Sequence, residues 1–177
     1  MLVCSVAGRI CLRKNKEILV LRELLRNSKR SDRELGKILK TSQPTVTRTR
    51  KILEKKIIRT YTVIPDFAKI GYEMIAFTFA KAKTYRREDT EKMLQRSKEW
   101  TAKRPNVVLA SDGEGLGKDT VMVSLHRNYS EYANFMRSFA VDWADYVSDF
   151  QSFIVSLRDG MSIKPFDLKY LADDIQT

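Results

Sequence analysis

The sequence predicts an α+β protein of two domains, in which a helical N-terminal part precedes a part with the element order β-α-β-β-α-β. Apolar residues recur at helical spacing up to about residue 57. From Met74 onward, segments in which apolar and polar residues alternate, as in strands, are interrupted by two long segments with helical spacing. The charge follows the same division. Residues 12–60 carry 16 Lys and Arg against 5 Asp and Glu, whereas residues 61–177 carry 16 against 17.

The first two helices are predicted from their caps and apolar faces. Asn15 is a suitable N-cap for a helix over Lys16–Asn27, and Ser31 with Glu34 forms a capping box for a second helix. Both inner faces follow helical spacing: Ile18, Leu21 and Leu25 in the first helix, and Leu35, Ile38 and Leu39 in the second.

A third helix begins after Ser42, with Pro44 tolerated in its first turn. Val46, Leu53 and Ile57 form its inner face, because a helix advances about 100° per residue. The residues on or beside the opposite face are Gln43, Thr45, Thr47, Arg48, Lys51 and Lys55. Arg50 is a further candidate contact, because its long side chain can extend to a phosphate.

This spacing is typical of a helix-turn-helix whose second helix enters the major groove of double-stranded DNA. Arginine pairs with guanine, glutamine with adenine, and a threonine methyl touches the thymine methyl. The concentrated positive charge attracts polyanions. The alternative is an ordinary solvated basic surface, against which the segregation of charge with the motif argues.

Ile57–Val63 alternates in polarity and predicts a β ribbon, or wing, on which Arg59 is a candidate phosphate contact. The predicted organisation is a flexible arm (1–14), a winged helix-turn-helix domain (15–64), a hinge (65–72), a second domain (73–160) and a C-terminal extension (161–177). The extension carries Phe166, Leu168 and Leu171. These residues suit docking on a neighbouring subunit, and a loosely packed terminal helix is the alternative.

The second domain is predicted to be ferredoxin-like. Its elements are Met74–Lys83 (strand), Glu88–Ala102 (helix), Val107–Ser111 (strand), Asp112–Lys118 (loop), Asp119–His126 (strand), Tyr129–Asp145 (helix) and Val147–Leu157 (strand). The aromatic stripe of the second helix is interpreted as core that faces the sheet; it comprises Tyr132, Phe135, Phe139 and Trp143.

The sequence offers no catalytic or metal-binding constellation and implies no cofactor. His126 has no evident partner, and Asp142, Asp145 and Asp149 are interpreted as a solvated edge. The only cysteines, Cys4 and Cys11, lack metal-ligand spacing. Because the first residues lack a basic segment followed by a long apolar run, we expect a cytoplasmic protein without a membrane anchor. The arm is expected to be disordered, with minor-groove contact as the alternative.

Three motifs carry a resemblance to a known family: SDRELGKIL (31–39), SQPTVTR (42–48) and LEKKIIRTYTVIPD (53–66). With the β-α-β-β-α-β order, they resemble the Lrp/AsnC (leucine-responsive, feast/famine) transcriptional regulators and look most like the archaeal members. The resemblance implies dimers formed through the sheets, often assembled into larger oligomers. It implies DNA contacts by Gln43, Thr45, Thr47, Arg48 and Lys51, and an amino-acid effector at Gly115, Gly117 and Asp119.

The sequence departs from the family pattern at the effector turn, which is longer here and lacks the usual tyrosine. Two other functions therefore stay open. One is an architectural DNA-binding protein without an effector. The other is an enzyme similar to the tetrapyrrole decarboxylases that share this two-domain plan, against which the single histidine and the −1 charge of residues 61–177 argue.

Overall fold

The computed structural model describes residues 16–83, 87–158 and 163–175. The predicted N-terminal arm and the Asn15 cap lie outside these residues. The described chain forms two compact units: one holds residues 16–64 and 164–175, and the other holds the described residues from 65 to 163. No helix in the described part of the chain is long and apolar enough to cross a membrane.

The first unit contains α1 (Lys16–Arg26), α2 (Asp32–Ile38) and α3 (Gln43–Lys56). Their inner faces meet in a core of Val20, Leu24, Leu35, Val46 and Leu53. The predicted capping box of α2 is confirmed. Ser31 Oγ accepts a hydrogen bond from the Glu34 amide at 3.2 Å, and Glu34 Oε2 accepts one from the Ser31 amide at 2.7 Å.

The turn between α2 and α3 is a Schellman motif. The Thr41 amide donates to the Gly36 carbonyl at 2.9 Å and the Lys40 amide to the Lys37 carbonyl at 3.3 Å. Lys40 occupies the left-handed position with φ of 49°, where glycine is the usual residue. A Cβ atom added to Gly36 would lie 2.9 Å from the Thr41 carbonyl oxygen, so this glycine permits the close approach of the turn.

The prediction of a wing is wrong, because residues 58–66 form no β bridge and follow α3 as irregular chain. The alternating pattern of Ile57–Val63 identifies a segment suited to strand pairing, but a strand is stable only with a partner for its backbone groups. No described segment of this chain pairs with it. Tyr61 is tied to α3 instead, since its hydroxyl donates to Glu54 Oε1 at 3.0 Å.

The second unit has the predicted β-α-β-β-α-β order. It comprises β1 (Met74–Ala82), α4 (Arg87–Ala102), β2 (Val107–Gly115), β3 (Lys118–His126), α5 (Tyr129–Asp142) and β4 (Val147–Ser156). The antiparallel sheet has the order β2-β3-β1-β4. Both helices pack on one face, and the core contains Ala80, Trp100, Met122, Met136, Phe139 and Trp143. The aromatic stripe of α5 therefore faces the sheet, as predicted.

β2 is longer than predicted, and the expected loop over Asp112–Lys118 shrinks to two residues. Asp112 pairs with Thr120 and Gly115 with Lys118, so polar residues that resemble a loop join the ladder of β3. Leu116 and Gly117 form the turn with φ of 54° and 68°. Positive φ at both central residues is the type I′ geometry that suits tight hairpins.

The other face of the sheet carries apolar side chains and no helix. Four apolar residues stand opposite one another on the four adjacent strands: Leu109, Val123, Phe77 and Phe153. Phe153 is 67% exposed and Leu109 is 51% exposed. The alternating Ile75, Phe77 and Phe79 thus lie on this open face, whereas Ala76, Thr78 and Ala80 face the helices and are buried.

The C-terminal extension packs on α1 of the same chain. Its last helix, α6 (Leu171–Asp174), buries Ala172 completely. Arg22 Nε donates to the Ala172 carbonyl at 2.7 Å, and an Arg26 guanidinium nitrogen lies 2.6 Å from Asp173 Oδ1. Phe166, Leu168 and Leu171, by contrast, remain exposed.

Because Ala172 has no room for a charged side chain, Ala172→Glu is expected to detach the extension from α1. We expect the variant to be cleaved in residues 163–175 by a protease that leaves the parent intact. Ala102→Glu, at an exposed position on α4, is the control. Equal protection of the parent and Ala172→Glu would contradict this packing.

Candidate nucleic-acid interface

The exposed face of α3 gathers most of the predicted contact residues. Gln43, Arg48, Lys51 and Lys55 are exposed, whereas Val46, Thr49 and Leu53 are buried on the opposite side. A shallow surface depression is lined by Gln43, Pro44, Thr47, Arg48 and Lys51. The local reason is the helix period, which turns the polar positions outward once the apolar stripe packs on α1 and α2.

The two threonines contribute less polar chemistry than expected. Thr47 Oγ1 donates to Asp32 Oδ2 at 2.7 Å, and Thr45 Oγ1 lies 2.8 Å from Ser42 Oγ. Both side chains are half-buried. Since their hydroxyls are engaged within the protein, each has mainly its methyl group to offer to a base.

Arg50 does not belong to the contact surface. Its Nε donates to Asp32 Oδ1 at 2.7 Å and a terminal nitrogen donates to the Arg30 carbonyl at 2.7 Å. Only 17% of its side chain is exposed. The predicted extension toward a phosphate is wrong, because a carboxylate of α2 stands within reach on the inner side. Arg50 therefore braces α3 against α2.

Three basic residues of α2 and the turn extend the surface, and the sequence reading did not select them. Arg33, Lys37 and Lys40 are exposed and line a depression next to Gln43 at the start of α3. The sequence signal for them is their spacing: Arg33 and Lys37 are four positions apart on α2, and Lys40 follows three positions later in the turn. Arg59 is exposed in the chain that follows α3.

The resulting surface, which we call the basic face, consists of Arg33, Lys37, Lys40, Gln43, Arg48, Lys51 and Lys55. Within the described residues, none of its six basic side chains forms an ion pair. The first turn of α3 contains no acidic residue, so the positive end of the helix dipole adds to the field. The basic face is therefore ready to receive anions such as phosphates.

Lys40 places a charge on the basic face at the cost of backbone strain, because its left-handed φ is unfavourable for a side chain with a Cβ. We expect Lys40→Gly to raise the free energy of unfolding by about 1 kcal/mol. The same change is expected to lower the salt dependence of DNA binding by about one counterion. Urea unfolding and binding titrations at several salt concentrations measure the two effects.

Lys37→Ala is the matched control for Lys40→Gly, since it removes a neighbouring charge without relieving a strained backbone. It is expected to weaken DNA binding similarly and to leave stability nearly unchanged. A Lys40→Gly variant that binds DNA like the parent would remove Lys40 from the basic face.

The candidate effector residues lie at the β2–β3 hairpin of the second unit. Gly115 and Gly117 border or form the turn, and a Cβ added to either would meet nothing within 4 Å. Asp119 holds the end of β1: its carboxylate accepts from the Ala82 amide at 3.0 Å and lies 3.4 Å from Lys81 Nζ. The three residues are close along the hairpin, but the described part of this chain builds no enclosed pocket around them.

His126 and Asp142, which were considered as possible catalytic or metal-binding residues, make structural contacts within the second unit. His126 is buried, with Nε2 2.9 Å from Ser124 Oγ and its ring edge-on to Tyr132 and Phe135. Burial lowers the pKa of His126 and favours the neutral ring. Asp142 accepts from Trp100 Nε1 at 2.7 Å and thereby joins α4 to α5. Among the described residues, no group of three His, Cys, Asp or Glu side chains is arranged to hold a metal ion.

Comparisons with solved structures identify the fold. The transcriptional regulator NMB0573 of Neisseria meningitidis, solved as a complex with L-Met, matches with a TM-score of 0.71 at 20% identity over 90% of this chain and 99% of that one. AsnC of E. coli matches with a TM-score of 0.69 at 16% identity, over 88% and 98% of the two chains. LrpC of B. subtilis matches with 0.65 at 22% identity, over 86% and 100%.

No protein-family model matches the sequence, and no curated protein sequence matches it significantly. At these identities the likeness establishes the fold. The chain therefore has the two-part architecture of its structural neighbours, which are transcriptional regulators of the AsnC/Lrp family.

Proposed function

We propose that this protein is a sequence-specific DNA-binding transcriptional regulator of the Lrp/AsnC type, close to the archaeal members. The observation that carries the proposal is the basic face. It places Arg48 and Lys51 on the exposed side of a helix whose other side is joined to α2 by the hydrogen bond from Arg50 to Asp32. Phosphate contacts by the lysines supply affinity, and Arg48 with Gln43 reads base edges in the major groove.

The open face of the sheet supports a homodimer as the functional unit. Its row of Leu109, Val123, Phe77 and Phe153 crosses all four strands and leaves large apolar side chains in solvent. Exposed apolar patches of this kind mark association sites. A second copy fits best, because the same apolar row on both partners is self-complementary about a two-fold axis. The basic faces of the two subunits then bind the two halves of a DNA site that has two-fold symmetry.

An amino acid is the proposed effector class, because one structural neighbour was solved with L-Met. The site on this chain is the hairpin of Gly115, Gly117 and Asp119, completed by the partner subunit. An architectural DNA-binding role without effector is the second candidate. It is favoured by the bonds of Asp119 to β1, which leave that carboxylate less available to a ligand.

The proposal is tested by fluorescence anisotropy with duplex DNA at several salt concentrations. Arg48→Ala is expected to reduce the ratio of affinities for a selected site and a scrambled site about tenfold or more, since one bidentate base contact contributes about 1–3 kcal/mol. Lys51→Ala is expected to weaken binding to both duplexes equally and to reduce the salt slope by about 1.

Lys103→Ala is the matched control, because it removes an exposed charge from the second unit. It is expected to bind both duplexes like the parent. If Arg48→Ala and Lys51→Ala both retain the parent's affinity, selectivity and salt slope, α3 does not enter the groove and the proposal fails.

A further inference from the structure

The second unit contains a cavity of about 380 Å³ on the helix-covered face of its sheet, between α4, α5 and the strands. Its size falls within the range of about 300–1,000 Å³ that small-molecule pockets occupy. The cavity lies on the opposite face from the apolar row proposed for dimer contact. None of the hairpin residues Gly115, Gly117 and Asp119 lines it.

Short side chains on the sheet create the space. Two rows of paired residues form the floor: Ala110, Met122 and Thr78 in one, and Asp112, Thr120 and Ala80 in the other. Five of these six side chains are small or of moderate length, and they leave space between the strands and the two helices. Protein interiors are ordinarily packed with few voids larger than a water molecule.

The walls are aromatic and apolar. Trp100 and Met93 from α4, and Phe139 and Trp143 from α5, line the cavity. Trp100 and Trp143 meet edge to face with ring centroids 6.1 Å apart, and Trp100 meets Phe139 at 5.7 Å. Such walls suit an aromatic or branched apolar group, which gains contacts by filling space left empty by the protein.

One donor in the wall has no acceptor. Trp143 is 5% exposed, and its Nε1 has no hydrogen-bond partner in the described structure. Trp100 differs, because its Nε1 donates to Asp142. An indole N–H can only donate, and a buried donor without an acceptor costs free energy. A ligand oxygen would satisfy it. At the mouth, the exposed Lys98 supplies a positive charge beside the hydroxyl of Ser97.

We propose that this cavity binds a small carboxylic acid with an aromatic or branched apolar body. The apolar body enters between the sheet floor and the two tryptophans. The carboxylate accepts from Trp143 Nε1 or from Lys98. This site is separate from the hairpin effector site and does not depend on DNA binding.

The test uses 3-phenylpropanoate as the carboxylic acid and toluene as a probe that lacks an acceptor. Trp100 and Trp143 are the only tryptophans of the chain and both line the cavity, so intrinsic fluorescence reports on its occupancy. We expect a saturable fluorescence change with 3-phenylpropanoate and a Kd of about 1 mM or tighter for a ligand of this size. No saturable response to either probe overturns the proposal.

Filling variants locate the site. Ala110→Met places a longer side chain on the cavity floor and is expected to weaken 3-phenylpropanoate binding at least tenfold, as is Thr120→Leu. Ala140→Met is the control, since Ala140 does not line this cavity and instead lines a neighbouring hollow of about 260 Å³ that also touches Trp143. Circular dichroism and thermal unfolding establish that each variant is folded. Binding that survives both filling variants, or that is lost in Ala140→Met alone, overturns the assignment.

Trp143→Phe tests the hydrogen bond separately by ligand-detected NMR titration. It retains an aromatic wall but removes the donor, so we expect about tenfold weaker binding of 3-phenylpropanoate and unchanged binding of toluene. Lys98→Ala, at the mouth of the cavity, is expected to weaken the binding of 3-phenylpropanoate and to leave the binding of toluene unchanged. Equal effects of Trp143→Phe on both probes, together with no effect of Lys98→Ala, would show that no carboxylate is recognised and would contradict the proposed ligand class.

Discussion

Asp32→Ala is expected to lower the free energy of unfolding by about 2–3 kcal/mol, because it leaves the Arg50 guanidinium half-buried without a counter-charge. Asp32 accepts from Arg50 Nε and from Thr47 Oγ1, each at 2.7 Å. About a fifth of each charged side chain is exposed, so the effect should lie below that of a fully buried pair. Denaturant unfolding measures it.

The double variant Asp32→Ala with Arg50→Met separates the ion pair from packing. Replacing both charges is expected to recover at least half of the lost stability, since the uncompensated charge is removed together with its partner. A double variant as unstable as the sum of the two single variants would contradict the pairing.

The same carboxylate predicts a pH dependence. Burial alone would raise the pKa of Asp32, but the hydrogen bonds from Thr47 and Arg50 and the charge of Arg50 together hold it below the ordinary value. Because the pKa of Asp32 is depressed in the folded state, its ionised carboxylate stabilises the folded protein at pH values above the unfolded pKa of about 3.9. This contribution to stability is lost as the pH falls through the pKa of the folded state. The stability difference between the parent and Asp32→Ala should therefore shrink below about pH 4.

Gly36→Val is expected to be the most damaging single change in the helix-turn-helix. A Cβ at this position would lie 2.9 Å from the Thr41 carbonyl oxygen and 3.5 Å from the Gln43 nitrogen, both backbone atoms that cannot rotate away. We expect a loss of about 3 kcal/mol in stability, at the upper end of overpacking effects. We also expect weaker DNA binding, because the turn positions the first residues of α3. Thermal unfolding and anisotropy titrations measure the two losses.

Gly113→Ala is the matched control for this substitution. Its Cβ would meet nothing within 4 Å, and its backbone does not require glycine. It is expected to change stability by less than about 0.5 kcal/mol. If Gly36→Val unfolds like Gly113→Ala, the close approach of the turn to α2 is not present in solution.

The predictable parts of the fold are those specified by neighbouring residues. The capping box of Ser31 and Glu34 lies within four positions, and the aromatic stripe of α5 follows from helical spacing alone. The β-α-β-β-α-β order of elements in the second unit followed from alternating strand patterns and two helical patterns along the chain. In each case the residues that determine the structure are close in sequence, so the pattern could be read directly.

The parts that could not be predicted depend on partners that lie on another element of the structure. Asp112–Gly115 reads as a loop by composition, but β3 supplies a partner that draws it into the sheet. Arg50 turns inward because Asp32, on another helix, stands beside it. Docking of Ala172 on α1 joins positions 150 residues apart. Helical periodicity gave the exposed side of α3 correctly, yet it could not show that Arg33, Lys37 and Lys40 continue the same surface.

The most direct measurement of the central claim is selection of binding sites from random duplex DNA at one fixed salt concentration, performed with the parent and with Arg48→Ala. The parent is expected to enrich a two-fold-related motif with half-sites about one helical turn, roughly 34 Å, apart. Arg48→Ala is expected to lose preference at one position of each half-site while retaining the others. If the parent enriches no motif, or if Arg48→Ala enriches the parent's motif unchanged, α3 does not recognise the base sequence of the DNA.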